Sequence, residues 1–382
     1  MKTASMTDFY KITLLPASIL IGTTIGAGMF SLPFIFKATG LATGFFYLLF
    51  LGLVYACLYY FFADLLLRTP GAHRIVGLAK IYLGKPGFWL TIFSSLFQQF
   101  FVLAIYLILA PSFSRFLLGG DYWNHLLAFW AIGSAIILFN VRRIALFEFM
   151  INVGMVLIMA LIFLWGMGNF PANVLDNWKT LDFSKFAAVG PILFALSGTL
   201  AIPEVIDYFR EAKIPVSYLK KSILVGAAVP VVAYILFVLG VLGISGAVSE
   251  DSVSGLIGNL PDFLLIFVGI LGIFSLISSY IVIGLNSRRM LELDIGLPDI
   301  AAKILVVVIP LLLYVGGLKD FIDGINFVGS IFLPLDGILI IFMWLRMNKI
   351  SEKPVIVVGR MARLSIPVIL LVFVAAILYF LF

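Results

Sequence analysis

The charged residues of this 382-residue chain fall in clusters separated by long uncharged stretches. No Asp, Glu, Lys or Arg occurs in 12–36, 38–63, 86–114, 122–141, 149–175, 186–203, 222–249, 263–287, 304–318 or 364–382. A helix that crosses the hydrocarbon of a bilayer needs about 20 apolar residues, and most of these stretches approach or exceed that length. Lys303 lengthens the shortest of them, 304–318, by snorkelling. An eleventh segment, 324–345, is interrupted by one acid, Asp336. Backbone groups must be paired inside lipid, so such segments read as helices; barrel strands would instead alternate over about ten residues. The expectation is an all-α integral membrane protein with eleven transmembrane helices. At 63% hydrophobic and 12% charged residues, the chain fits neither a soluble domain nor a disordered one.

The formal charge of +6 invites a nucleic-acid reading, but its placement argues otherwise. Twenty of the 25 Lys and Arg residues fall in segments that are cytoplasmic if the N-terminus is inside, among them Lys2, Arg68, Arg74, Arg142, Arg143, Arg210, Arg288 and Lys353. Lys37, Arg115, Lys179, Lys185 and Lys319 fall on the other side. Positive residues concentrate inside, which predicts a cytoplasmic N-terminus and an outer C-terminus in the cytoplasmic (inner) membrane. No basic stripe interleaved with aromatics is present. The first apolar stretch is long and lacks a small-residue cleavage site, so it is expected to remain as a span. The gaps 64–85, 169–185 and 346–363 leave no room for a soluble domain. In the first of them, Arg74 to Leu83 is expected to form a short amphipathic helix at the cytoplasmic face.

Two spans carry helix-breaking composition. The first contains Gly22, Thr23, Thr24, Ile25, Gly26, Ala27 and Gly28, then Pro33. Clustered glycines before a proline weaken a continuous helix. The spacing of Gly22 and Gly26 also matches a small-residue packing face. The sixth span holds Leu196, Ser197, Gly198 and Thr199, with Pro203 following. Spans one and six correspond if the chain is two five-helix repeats plus one extra helix, and five spans per half make the repeat inverted. The expected units are 1–168, an extracellular loop 169–185, a second repeat 186–346, and a cytoplasmic loop with the last helix, 347–382. Paired interruptions in two halves are the best sequence pointer to a transporter site. A broken helix exposes unpaired carbonyls on one side and N–H groups on the other. Carbonyls near Gly22 to Ile25 suit a cation. N–H groups at Ala27 and Gly28 suit a carboxylate, and carbonyls at Leu196 and Ser197 suit an ammonium. Such a site, with Thr23, Thr24, Gly26 and Thr199 around it, holds an α-amino acid zwitterion without charged side chains.

The Gly22–Met29 segment resembles the first-helix motif of bacterial hydroxy- and aromatic-amino-acid permeases, which group with amino acid/auxin permeases in the amino acid–polyamine–organocation superfamily. Phe194–Gly198 and Phe274–Tyr280 are also similar, and the resemblance covers essentially the whole chain. It implies a LeuT-like five-plus-five inverted-repeat fold and ion-coupled amino-acid uptake, with Phe194 as a gate and Ser197 as a substrate contact. It also implies that Ser278 and Ser279, with carbonyls of Gly22 and Ile25, form a sodium site; otherwise these serines bond their own backbone or a neighbouring helix. Some relatives carry a fifth-helix lysine and couple to protons. None lies in 149–175 here, although the bacterial branch is generally proton-coupled.

Asp336 within a span is either a coupling group or a structural acid bonded across helices. Glu204 has a similar claim from just beyond the sixth-span break. Asp64 and Glu148 are expected near the membrane interface. Of Gln98 and Gln99, at least one is expected to line the pocket or join helices. The single cysteine, Cys57, rules out an internal disulfide or multi-thiolate site. His73 and His125 lie far apart in topology, and no metalloprotease, hydrolase or nucleotide-binding motif occurs. The reading is a secondary amino-acid transporter working by alternating access, coupled to H+ or Na+, with no cofactor and no enzymatic activity. Transport of another small solute such as an amine stays open. A channel would need a continuous polar lining, which no span displays.

Overall fold

The computed structural model describes residues 9–71, 73–139, 145–169, 178, 180–245, 247–350 and 358–382. Lys2, Arg142, Arg143, Lys179, Lys353 and the side chain of Glu148 lie outside the described residues. Among the described residues there is no strand. The helices are α1 (Tyr10–Thr24), α2 (Ala27–Thr39), α3 (Leu41–Arg68), α4 (Ile75–Leu118), α5 (Tyr122–Phe139) and α6 (Ala145–Gly166). Then follow α7 (Val189–Ala195), α8 (Ile202–Glu211), α9 (Val216–Ile244), α10 (Asp262–Ile295), α11 (Asp299–Val315), α12 (Phe321–Ile350) and α13 (Ile366–Leu381). Among the described residues, seven helical segments are long and apolar enough to cross a membrane, and the bent pair α1 and α2 makes an eighth. Shorter apolar helices cover Met150–Gly166 and Ile366–Leu381. Leu53, Leu157, Phe267 and Leu371 are exposed on the outside of this bundle, as lipid-facing side chains would be.

The glycine-rich stretch ends α1 at Thr24, and α2 departs at 53°. Ile25 leaves the helix with ψ 88° and Gly26 is extended, so two residues separate the helical segments. The second interruption falls between α7 and α8, where Leu196 to Gly198 form the linker and Pro203 starts the next turn. Proline fits there because a first-turn N–H has no partner within the helix.

Ile75 to Leu83 forms the first part of α4, burying Ile75, Val76, Leu78 and Ala79 and exposing Lys80 and Ile81. It ends at a kink where Gly84 has φ 70°, a conformation that favours glycine. Further along α4, residues Ile92–Leu96 form a π-helical bulge, and Val328–Phe332 forms another within α12. Bulges of this kind often accompany functional sites.

Asp64 lies near the C-terminal end of α3. Its side chain is fully buried, paired with Arg68 at 3.2 Å and accepting the Trp344 indole N–H at 2.9 Å. Arg68 also donates to Asn348 at 2.6 Å, which ties α3 to the end of α12. A buried ion must be compensated, and the i, i+4 spacing on α3 supplies the partner directly.

Candidate functional site

The two interruptions meet in the middle of the bundle. A Cβ on Gly28 would lie 2.6 Å from the Ala195 Cα and 2.9 Å from the Phe194 ring, so only glycine allows this approach of α2 to α7. A Cβ on Gly198 would likewise overlap Thr24 Oγ1 and the Leu20 side chain of α1. Two tyrosine hydroxyls hold the linkers. Tyr59 of α3 donates to the Leu196 carbonyl at 2.7 Å and accepts the Gly198 N–H at 2.7 Å. Tyr234 of α9 reaches the Thr24 carbonyl at 2.7 Å and the Ala195 carbonyl at 2.9 Å, so one hydroxyl touches both interruptions. Both rings are fully buried.

A central cavity of about 480 Å³ lies at this junction. Thr23, Thr24, Gly26, Ala27, Gly28, Gln98, Phe194 and Ser197 all line it, so most of the substrate residues expected from sequence converge on one place. Apolar surface comes from Val102, Leu200, Ile283 and Leu333, and no ionised side chain is among the lining residues. Ala27 opens the first turn of α2, where backbone N–H groups have no intrahelical acceptor. The Thr23 and Thr24 hydroxyls donate back to the Ile19 and Leu20 carbonyls, which leaves their oxygens as acceptors.

Leu196 and Thr199 of the sixth span are not among the residues that line the central cavity, and the Leu196 carbonyl accepts the Tyr59 hydroxyl. Ser197, one residue on, is the linker position that faces inward. Gln98 lines the cavity with its side chain, whereas Gln99 also joins helices. Its carbonyl oxygen accepts from Asn286 at 3.0 Å and Ser287 at 2.9 Å, and its amide donates to the Ser95 carbonyl at 3.0 Å.

A second cavity, about 420 Å³, brings Gly22, Ser278 and Ser279 together with Thr23, Ser275, Tyr106 and Asn152. Ile25 is fully buried and stays out of its lining. The donor set is hydroxyl, carbonyl and amide oxygen, which suits a hard cation. Asn152 of α6 presses against Gly22, where a Cβ would overlap its amide nitrogen. Tyr106 lies between the two cavities and faces Gly26 and Ser279.

A third cavity, about 520 Å³, adjoins the central one through Gln98, Ser197, Leu200 and Leu333, and also includes Thr199 and Asp336. The Asp336 carboxylate accepts from Ser94 at 2.5 Å and from Ser95 at 2.8 and 2.9 Å. Ser94 and Ser95 sit on the π-bulge of α4, and Asp336 follows the π-bulge of α12. Among the described residues no cation pairs with Asp336. Beyond this lies a vestibule of about 840 Å³ bordered by Arg74, Arg210 and Arg289. Glu204 is found near its rim, half-exposed and paired with Arg74 at 2.8 Å. It is not among the residues lining these cavities. His73 borders the vestibule and bonds the Pro70 carbonyl, far from His125, which bonds the Gly119 carbonyl.

Sequence reasoning missed Tyr59, Tyr106, Asn152, Tyr234, Ser94 and Ser95. Tyrosines and neighbouring serines inside apolar spans were the available signal.

The model of the tryptophan/tyrosine permease family matches residues 11–380. The chain belongs to that family. No curated protein matches it. Among solved structures it is similar to MhsT in complex with L-phenylalanine, at 15% identity and TM-score 0.69, covering 96% of this chain and 98% of that one. A manganese transporter of Eremococcus coleocola matches at 15% identity and TM-score 0.66, covering 99% and 88%. Mhp1, a nucleobase-cation-symport-1 family transporter, matches at 14% identity and TM-score 0.63, covering 95% and 89%. These likenesses show a shared fold. The chain is a multi-pass membrane protein and a secondary transporter of amino acids or similar substrates, not an enzyme.

Proposed function

We propose that this permease imports an aromatic L-amino acid across the cytoplasmic membrane by alternating access, driven by a cation gradient. The carrying observation is the central cavity, whose lining joins both helix interruptions to an apolar wall and holds no ionised side chain. The substrate carboxylate meets the first-turn N–H groups of Ala27 and Gly28, where the helix end carries partial positive charge. The ammonium meets Ser197 and the carbonyl end of α7. The aromatic ring lies against Phe194, Val102, Ile283 and Leu333. This reading takes the chain as eleven spans, N-terminus inside and C-terminus outside, with 1–168 and 186–346 as inverted five-helix repeats. It is supported by the two interruptions and by the family. L-phenylalanine bound to MhsT is consistent with the substrate class.

Substrate leaves toward the vestibule through the cavity that contains Asp336, on the side to which the positive-inside rule assigns Arg74 and Arg210. On the opposite side, Phe30 packs edge-on to Phe113 at 4.7 Å and Phe237 at 6.1 Å, which supports a closed outer gate. The coupling cation has two seats to choose between: the Asp336 carboxyl for a proton, or the Gly22, Ser278 and Ser279 cavity for sodium. Uptake of labelled L-tryptophan into proteoliposomes, with an imposed proton gradient or an imposed sodium gradient, tests both parts. Accumulation driven by one gradient and blocked by L-tyrosine and L-phenylalanine is expected. Absence of uptake of all three would remove the substrate assignment, and sodium-independent uptake would remove the sodium seat.

A further inference from the structure

The cavity between the central site and the vestibule has a composition that the central site lacks. Asp336 and Arg74 both line it, with apolar surface from Phe62, Met290 and Leu333 between them. A carboxylate has about four lone-pair positions, and three serine hydroxyl bonds leave Asp336 able to accept another donor. Arg74 uses one guanidinium nitrogen for Glu204 and retains further donors. Opposite charges in a low-dielectric pocket attract ligand charges more strongly than in water.

We propose that this cavity is a second binding station for the transported amino acid, used between the central site and the cytoplasm. Asp336 anchors the substrate ammonium, Arg74 provides the counter-pole for its carboxylate, and Phe62, Met290 and Leu333 receive the ring. The two stations recognise the same zwitterion differently, the central one through helix ends and the inner one through side-chain charge. Ser197 and Gln98 line both cavities, so the ammonium passes between them without losing polar contact. This inference rests on the amino-acid reading above.

Equilibrium binding of tritiated L-tryptophan to the purified full-length protein in detergent tests it. The expected stoichiometry is two per wild-type chain and one for Asp336→Asn, with Arg74→Gln weakening only the second site, by tenfold or more. Tryptamine, which keeps the ammonium and lacks the carboxylate, is expected to displace one of the two tryptophans from the wild type. Since that competition uses no variant, it holds even if Asp336→Asn folds poorly. One tryptophan per wild-type chain, two retained by Asp336→Asn, or no displacement by tryptamine overturns the second station and leaves the central site standing. No binding of L-tryptophan, L-tyrosine or L-phenylalanine overturns the amino-acid reading, and the station falls with it.

Discussion

Replacing Tyr59 by phenylalanine tests whether the sixth-span interruption is held by a side chain or by its own backbone. The substitution keeps the buried ring, which packs 5.6 Å from Tyr55, and deletes one oxygen. That oxygen serves two backbone groups, the Leu196 carbonyl and the Gly198 N–H, each at 2.7 Å. A buried polar group left without its partner costs about 1–3 kcal/mol, so the pair costs about 2–6 kcal/mol. The lower end is expected, because an unwound linker has room to turn a peptide. Using about 2 °C per kcal/mol as the scale for larger domains, Tyr59→Phe should melt at least about 4 °C below the wild type in detergent. Tyr55 provides the control. Its buried hydroxyl approaches Ser197 but makes no hydrogen bond of ordinary geometry, so deleting it relieves an uncompensated polar group and Tyr55→Phe should melt at or above the wild-type temperature. Equal melting of Tyr59→Phe and wild type, or a larger loss for Tyr55→Phe, refutes the assignment.

Gly28→Leu is expected to abolish uptake while the protein still reaches the membrane, since even a Cβ would collide with Ala195; near-normal transport in whole cells refutes the close approach. Asp64→Asn strips the fully buried Arg68 of its carboxylate and should cost about 3–5 kcal/mol, read as a lower denaturation midpoint; an unchanged midpoint would show that Asn348 suffices. Glu250, in the loop after α9, has its carboxyl pushed up by burial and by Asp320, Asp323 and Asp251. A folded-state pKa above the unfolded value makes the ionised form destabilising. Glu250→Gln should therefore raise the melting temperature slightly at neutral pH, and the two proteins should converge as pH falls below the ordinary value of 4.5. An advantage that persists in acid contradicts this.

Charge spacing made the apolar helices legible, because charges are costly in lipid and gather where helices end. Glycine clustering made the first interruption legible, and Ser197 with Gly198 marked the second. Residue-level roles were harder. Leu196 and Ser197 are adjacent, yet only one faces the cavity, and that depends on Tyr59, 137 residues away in sequence. The Glu204 pairing was hidden too, since its partner Arg74 lies 130 residues earlier. Asp64 was legible in hindsight, since Arg68 follows at helical spacing. Ser94 and Ser95 carried no local sign of their partner, because their bonds to Asp336 close over more than 240 residues.

Those bonds have a consequence for how α4 and α12 tolerate change. Each π-bulge adds one residue to a helical turn, and one residue corresponds to about 100° of rotation. Straightening Val328–Phe332 into regular winding with the same number of residues would swing Asp336 about a quarter of the way around α12, away from the serines and toward another face. Deleting one residue as the bulge closes would instead leave the turns on either side facing as before. Substitutions that favour regular winding here should therefore silence transport in a protein that still inserts and folds, while a single-residue deletion within the bulge should be accepted. The alignment of the inner polar site is stored in the winding of these helices as much as in the identity of their residues.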